Sequence, residues 1–176
     1  MLGKSAFEVV ASMSVAPYST LISFPYRPSP DPGITLTAQQ KRLIRESFLR
    51  LEPAFDLVGQ VFFHKLFRLD PFFRARFAGP VEIQGRKFMA ALKLGIVSLN
   101  YEGGLAPTLK LLGVRHRLLG IKVRHYRLMA KALIWTLEQS LGKHFTRETK
   151  EAWSAMLIEI TRVMSGSDAA LLRSVS

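Results

Sequence analysis

Cysteine is absent from the 176 residues. That one absence removes disulfides, thiolate-held metals and iron–sulfur clusters together, and it suits a reducing cytoplasm, where we expect the protein to work. Long apolar runs are missing as well. No stretch reaches the roughly 20 residues that a membrane-spanning helix needs. The mildly apolar segment from Ala6 to Pro17 is broken by Glu8 and several serines, and it reads poorly as a secretory signal. Strict alternation of apolar and polar residues, the signature of a half-buried strand, is absent. Acidic residues are scarce: 25 Lys and Arg against 13 Asp and Glu give a net charge of +12. Between Gly103 and Leu137 there is no acid at all, but there are Lys110, Arg115, Arg117, Lys122, Arg124, Arg127 and Lys131. A solvated surface accounts for such a run. So does a docking site for an acidic redox partner or for an anionic membrane surface. No nucleic-acid-binding motif accompanies the charge, so no nucleic-acid partner is expected.

What is present is one core and many helices. A hydrophobic content of 48% in a chain of this length suits one compact domain. Residues 1–35 stand apart, because five of the nine prolines fall there (Pro17, Pro25, Pro28, Pro30 and Pro32). They read as a largely irregular extension with a short helix near Ala6–Met13, followed by a domain over 36–166 and a tail over 167–176. Thr37 and Gln40 have the spacing of a capping box, and Leu43, Ile44, Phe48 and Leu51 then recur at helical intervals. Pro53 opens a second helix bearing Phe62, Phe63 and Leu66. Asp70-Pro71 is a cap followed by a first-turn proline, and it starts a short helix ending near Phe77. A fourth helix runs from Val81 to Leu99. After Gly103-Gly104, Pro107 opens a fifth, which Gly120 closes. Two long helices, about Lys122–Leu141 and Arg147–Met164, are split by Gly142. The expected class is all-α. Gly59 and Gly85 sit inside helical segments, where glycine costs roughly 1 kcal/mol relative to alanine. A crossing of two helices with nearly touching backbones explains both.

The candidate functional pair is Gln84 and His116. His116 shares a helical stripe with Leu109 and Leu112, and Gln84 shares one with Phe88 and Leu92. A core histidine bonded to a backbone carbonyl fits such a stripe. So does a neutral imidazole serving as an axial ligand of haem iron, with a polar group opposite to bond whatever takes the open position.

Larger segments narrow the choice. Leu66–Phe77 reads L-F-R-L-D-P-F-F-R-A-R-F, Gln84–Phe88 reads Q-G-R-K-F, Leu112–Gly120 reads L-G-V-R-H-R-L-L-G, and Phe145–Trp153 reads F-T-R-E-T-K-E-A-W. In order and spacing, from about Leu36 to Met164, they resemble the globin family. The likeness is to bacterial single-domain globins, to neuroglobin and to the haem domain of flavohaemoglobins. The resemblance implies a three-over-three helical sandwich around haem b, iron protoporphyrin IX. It makes His116 the proximal ligand, with its Nδ1–H bonded to a carbonyl one turn earlier, and Gln84 the distal residue. It makes Phe77 the ring wedged on the porphyrin, places Phe63 and Phe88 over the ligand pocket, and puts Lys87 within reach of a propionate. Leu112, Ile121 and Met129 would line the proximal side and the edge. Tyr126 matches a tyrosine that in flavohaemoglobins works with a glutamate, a position that falls here near Asp168. Phe63 stands where many relatives carry a tyrosine donor, which limits dioxygen to one hydrogen bond. His64, His125 and His144 are expected at the surface or boundary.

The implied function is reversible binding of dioxygen and other diatomic gases, such as CO and NO. One alternative is oxidation of nitric oxide to nitrate, with a separate acidic reductase docking on the basic surface. Another is a gas or redox sensor or a membrane-associated module using the extension.

Overall fold

A computed structural model describes residues 34–77, 79–99 and 105–166 of the chain. The extension with its expected short helix, the Gly103-Gly104 break and the tail lie outside the described residues. Among the described residues there are seven α-helices and no strand. They are α1 (Ala38–Leu49), α2 (Phe55–Leu69), α3 (Phe72–Arg76), α4 (Val81–Ser98), α5 (Ala106–Leu118), α6 (Val123–Leu141) and α7 (Arg147–Ser165). None of them is long and apolar enough to cross a membrane.

The helix boundaries follow local chemistry. The Thr37 hydroxyl accepts from the Gln40 N–H at 3.1 Å, while the Gln40 side chain accepts from the Thr37 N–H at 2.9 Å, which completes the capping box. Pro53 opens a single 3-10 turn, Glu52–Ala54, and α2 proper starts two residues later. Asp70 Oδ1 accepts from the Phe72 N–H at 2.9 Å and so caps α3. Gly142 and Gly166, both at positive φ, end α6 and α7.

The helices stack three over three. Layer one is α2, α6 and α7, joined through the α2–α6 and α6–α7 contacts. Across it lie α4 on α2, and α1 and α5 on α7. Ile44, Phe48, Phe62, Phe63, Leu66, Leu137, Trp153 and Met156 form the buried centre. Trp153 Nε1 donates to Ser47 Oγ at 2.9 Å, so the largest core ring is not left with an unsatisfied N–H, and α1 is pinned to α7.

α2 and α4 cross with their backbones in contact. A Cβ on Gly59 would lie 2.6 Å from the Gly85 carbonyl carbon and oxygen, as the two glycines in the sequence led us to expect. Backbone cannot yield as a flexible side chain does, so Gly59→Ala is expected to destabilise the protein by about 2–3 kcal/mol in urea unfolding. Gly95, in the same helix as Gly85, has open space at its Cβ position. There Gly95→Ala is expected to stabilise by about 0.5–1 kcal/mol through helix propensity alone. Equal effects at the two positions would refute the backbone contact.

Candidate functional site

The crossing of α2 on α4 and the seating of α5 on α7 leave a cavity of about 240 Å³ between them. Its wall is mostly hydrocarbon. Phe88, Ala91 and Leu92 of α4 and Leu109 and Leu112 of α5 face Tyr126, Met129 and Leu133 of α6, with Met156 and Ile160 of α7 below. Phe62 and Phe77 complete it. His116 lines this cavity and also a smaller recess shared with Arg76, Phe77, Leu119, Ile121 and Met129.

Two polar atoms define the chemistry. His116 Nδ1 and the Tyr126 hydroxyl are buried without a hydrogen-bond partner among the described residues. The two rings stand 5.6 Å apart. The expected bond from Nδ1–H to a carbonyl one turn earlier is therefore not formed. Nδ1 is unsatisfied in either neutral tautomer, which costs the cofactor-free fold stability. Burial pushes the imidazole down from an ordinary 6.5 to about 4, so its nitrogen lone pair is available at neutral pH. Burial likewise pushes the Tyr126 phenol up to about 12, with Arg117 opposing, and keeps it a neutral O–H.

The other sequence candidates distribute unevenly. Phe77, at the C-cap of α3, is buried and stands edge-on to Phe63 with ring centroids 5.1 Å apart. Phe88 lines the cavity and stacks flat on Phe62 at 4.1 Å. Leu112, Tyr126 and Met129 lie in the wall, and Ile121 lies in the smaller recess. Phe63 is fully buried among the rings of Phe62, Phe67, Phe77 and Phe88, and the ring that reaches the cavity is its neighbour Phe62. Successive residues of a helix diverge by about 100°, and two adjacent phenylalanines do not announce which one faces inward. Gln84 is buried in the first turn of α4, with its Nε2 3.8 Å from where a Gly79 Cβ would sit, folded over the break rather than lining the cavity. Lys87 is half-buried on the same helix, outside the cavity wall.

His64 and His144 are exposed, as expected. His125 is not: it is 1% exposed, stacked on Phe72 at 4.2 Å, and its Nδ1 accepts from the Lys122 N–H at 3.0 Å. The reason is its place in the first turn of α6, where a side-chain acceptor satisfies an orphan amide and aromatic neighbours cover the ring.

Among the described residues, no three His, Asp or Glu side chains come together to hold a metal ion. An apolar cavity beside one neutral imidazole suits a metal-bearing macrocycle that brings the metal's other ligands.

Comparisons with known proteins agree with this geometry. The family model described as Globin matches residues 60–164, a span that starts inside α2 and takes in the whole cavity wall. The chain is 26% identical to neuroglobin of Danio rerio and to neuroglobin of Tetraodon nigroviridis, and 25% identical to neuroglobin-1 of Oncorhynchus mykiss. Each match covers 74% of this chain and 91% of the relative.

The buried imidazole has a consequence for stability. As pH falls below 6.5, the unfolded chain takes up a proton at His116 that the folded chain refuses until about pH 4. The cofactor-free protein is therefore expected to be fully stable with respect to this group above 6.5 and to lose about 2 kcal/mol between 6.5 and 4, after discounting for partial exposure. His116→Phe should remove that part of the slope. Urea unfolding of both proteins across this range checks it, and parallel pH dependences would refute it.

Proposed function

The chain belongs to the globin family, and from that premise we propose that it reversibly binds dioxygen, and other diatomic gases such as CO and NO, at a haem b iron held by His116. The observation that carries the reading is a half-buried, neutral imidazole that opens on an apolar cavity, with its Nδ1 unpaired among the described residues. Haem bound there supplies a ferrous iron with a coordination position open to a small gas.

The chain's own residues do the rest. His116 offers a neutral ring nitrogen, and burial keeps protons from competing for it. Phe77, Phe88, Leu112 and Met129 present the hydrocarbon surface that a porphyrin needs, with Ile121 at the edge and Tyr126 behind the imidazole. The Gln84 amide would donate one hydrogen bond to bound gas on turning inward from the Gly79 break. Phe63, behind the wall, adds no donor. Lys87, half-buried on α4, would pair with a propionate. A wall without charged groups also keeps water and protons away from the gas.

Absorption spectra of the purified protein in its ferric, ferrous and carbonyl forms test the reading. His116→Ala is expected to lose haem retention, and unchanged spectra in that variant would sink it. Gln84→Leu is expected to release dioxygen about tenfold faster while CO release changes little, because dioxygen carries more negative charge for the amide to stabilise. Equal effects on both gases would remove Gln84 from the distal role.

The acid-free stretch from Gly103 to Leu137 favours a second reading, turnover of nitric oxide with an acidic reductase as electron donor. Sustained nitric oxide consumption with such a reductase supports it, and a single turnover with every donor supplied refutes it.

A further inference from the structure

The helix that carries His116 has an unusual footing. Its outer face exposes Leu111, Val114 and Leu118, the last by 82%, and its packing is chiefly on α7. There it sits backbone to backbone: a Cβ on Gly113 would overlap the Met164 carbonyl, and Arg117 Nη1 donates to that same carbonyl at 3.3 Å. Its last turn leaves Leu118 outside and brings His116 into the recess lined by Phe77, Ile121 and Met129.

That turn is tied elsewhere. Arg76, 43 positions away at the end of α3, donates from Nε to the Leu119 carbonyl at 3.0 Å. The guanidinium lies over the Phe72 ring at 4.6 Å, and Phe72 stacks in turn on His125 at the start of α6. Leu119 and Ile121 both donate their N–H groups to the His116 carbonyl, at 3.2 and 2.9 Å. A pull on the Leu119 carbonyl thus reaches the His116 backbone directly. Arg76 also lines the recess that His116 lines. Its charge at the C-terminal end of α5 complements the orphan carbonyls and the helix dipole.

We propose that Arg76 is a positioning residue for the proximal imidazole, fixing the last turn of α5 and with it the angle at which the His116 ring meets the cavity. The inference rests on His116 as the iron ligand.

The experiment uses the full chain loaded with haem. Arg76→Ala is expected to transfer hemin to an excess acceptor apoprotein about fivefold faster than wild type. It is also expected to shift and broaden the ferrous iron–imidazole stretching band in resonance Raman spectra. Arg76→Lys, which keeps the charge and one donor at the helix end, should move both back toward wild type. A clamp that is merely structural would lower the urea stability of the cofactor-free protein and leave the band where it is. A wild-type band in Arg76→Ala therefore overturns the proposal, whatever happens to stability. Should that variant fail to fold, Arg76→Gln, an uncharged donor on a shorter stem, is read in the same way. A wild-type chain that takes up no hemin overturns the haem reading itself, whereas a loaded wild type indistinguishable from its Arg76 variants overturns this inference alone.

Discussion

Two helix crossings made without side chains set the dimensions of the site. At Gly59 and Gly85, α2 and α4 meet backbone to backbone, and at Gly113, α5 meets the Met164 carbonyl of α7. Between these contacts the helices diverge, and the space they leave is the cavity. A methyl group at either crossing would force its pair of helices apart, and the walls are rigid because interiors pack at crystal-like density. The glycines sacrifice helix propensity to hold a separation that larger residues cannot hold.

The chemistry inside that space depends on what the walls lack. A nitrogen in water is solvated and titrates near its ordinary value. His116, in a wall of phenyl and aliphatic groups, is held neutral and unsatisfied instead. Both conditions raise the free energy of the cofactor-free fold, and a group that bonds the neutral ring and fills the hydrocarbon space would offset them. The same site is thus a weakness of the empty fold and the source of its affinity. The Tyr126 hydroxyl shares this condition, with its phenol raised to about 12 and its ring 5.6 Å from the imidazole, while the expected acidic position near Asp168 lies outside the described residues.

Much of this was legible in the sequence wherever a local rule governs it. The Thr37 capping box, the Asp70-Pro71 start and the Gly59–Gly85 contact are each determined by residues close in sequence or by a residue type with one physical use. The class, seven described helices without a strand, follows from apolar periodicity. Side-chain direction did not come through where two solutions satisfy the same pattern. Phe62 and Phe63 are adjacent and both buried, and only the packing of α2 on its neighbours decides which one reaches the cavity. Gln84 has the right stripe, yet its amide folds over the Gly79 break. His125 sits in a basic run that reads as surface, but the cap it provides to α6 and the Phe72 ring above it are tertiary facts. The Trp153–Ser47 bond spans 106 positions and has no sequence signal.

The uneven footing of the two walls bears on how the site behaves. α4 is held along its length by α2, through apolar side chains above and below a glycine contact. α5 rests chiefly on α7, through the backbone contact at Gly113 and the buried Leu109, with arginine bonds to the Leu119 and Met164 carbonyls near its end. A shift of the wall that bears the imidazole would move the His116 ring relative to the aromatic surface of Phe62 and Phe77. The outer face of that helix exposes Leu111, Val114 and Leu118, so a contact that covers them acts on the element that bears the imidazole and has a short route to His116.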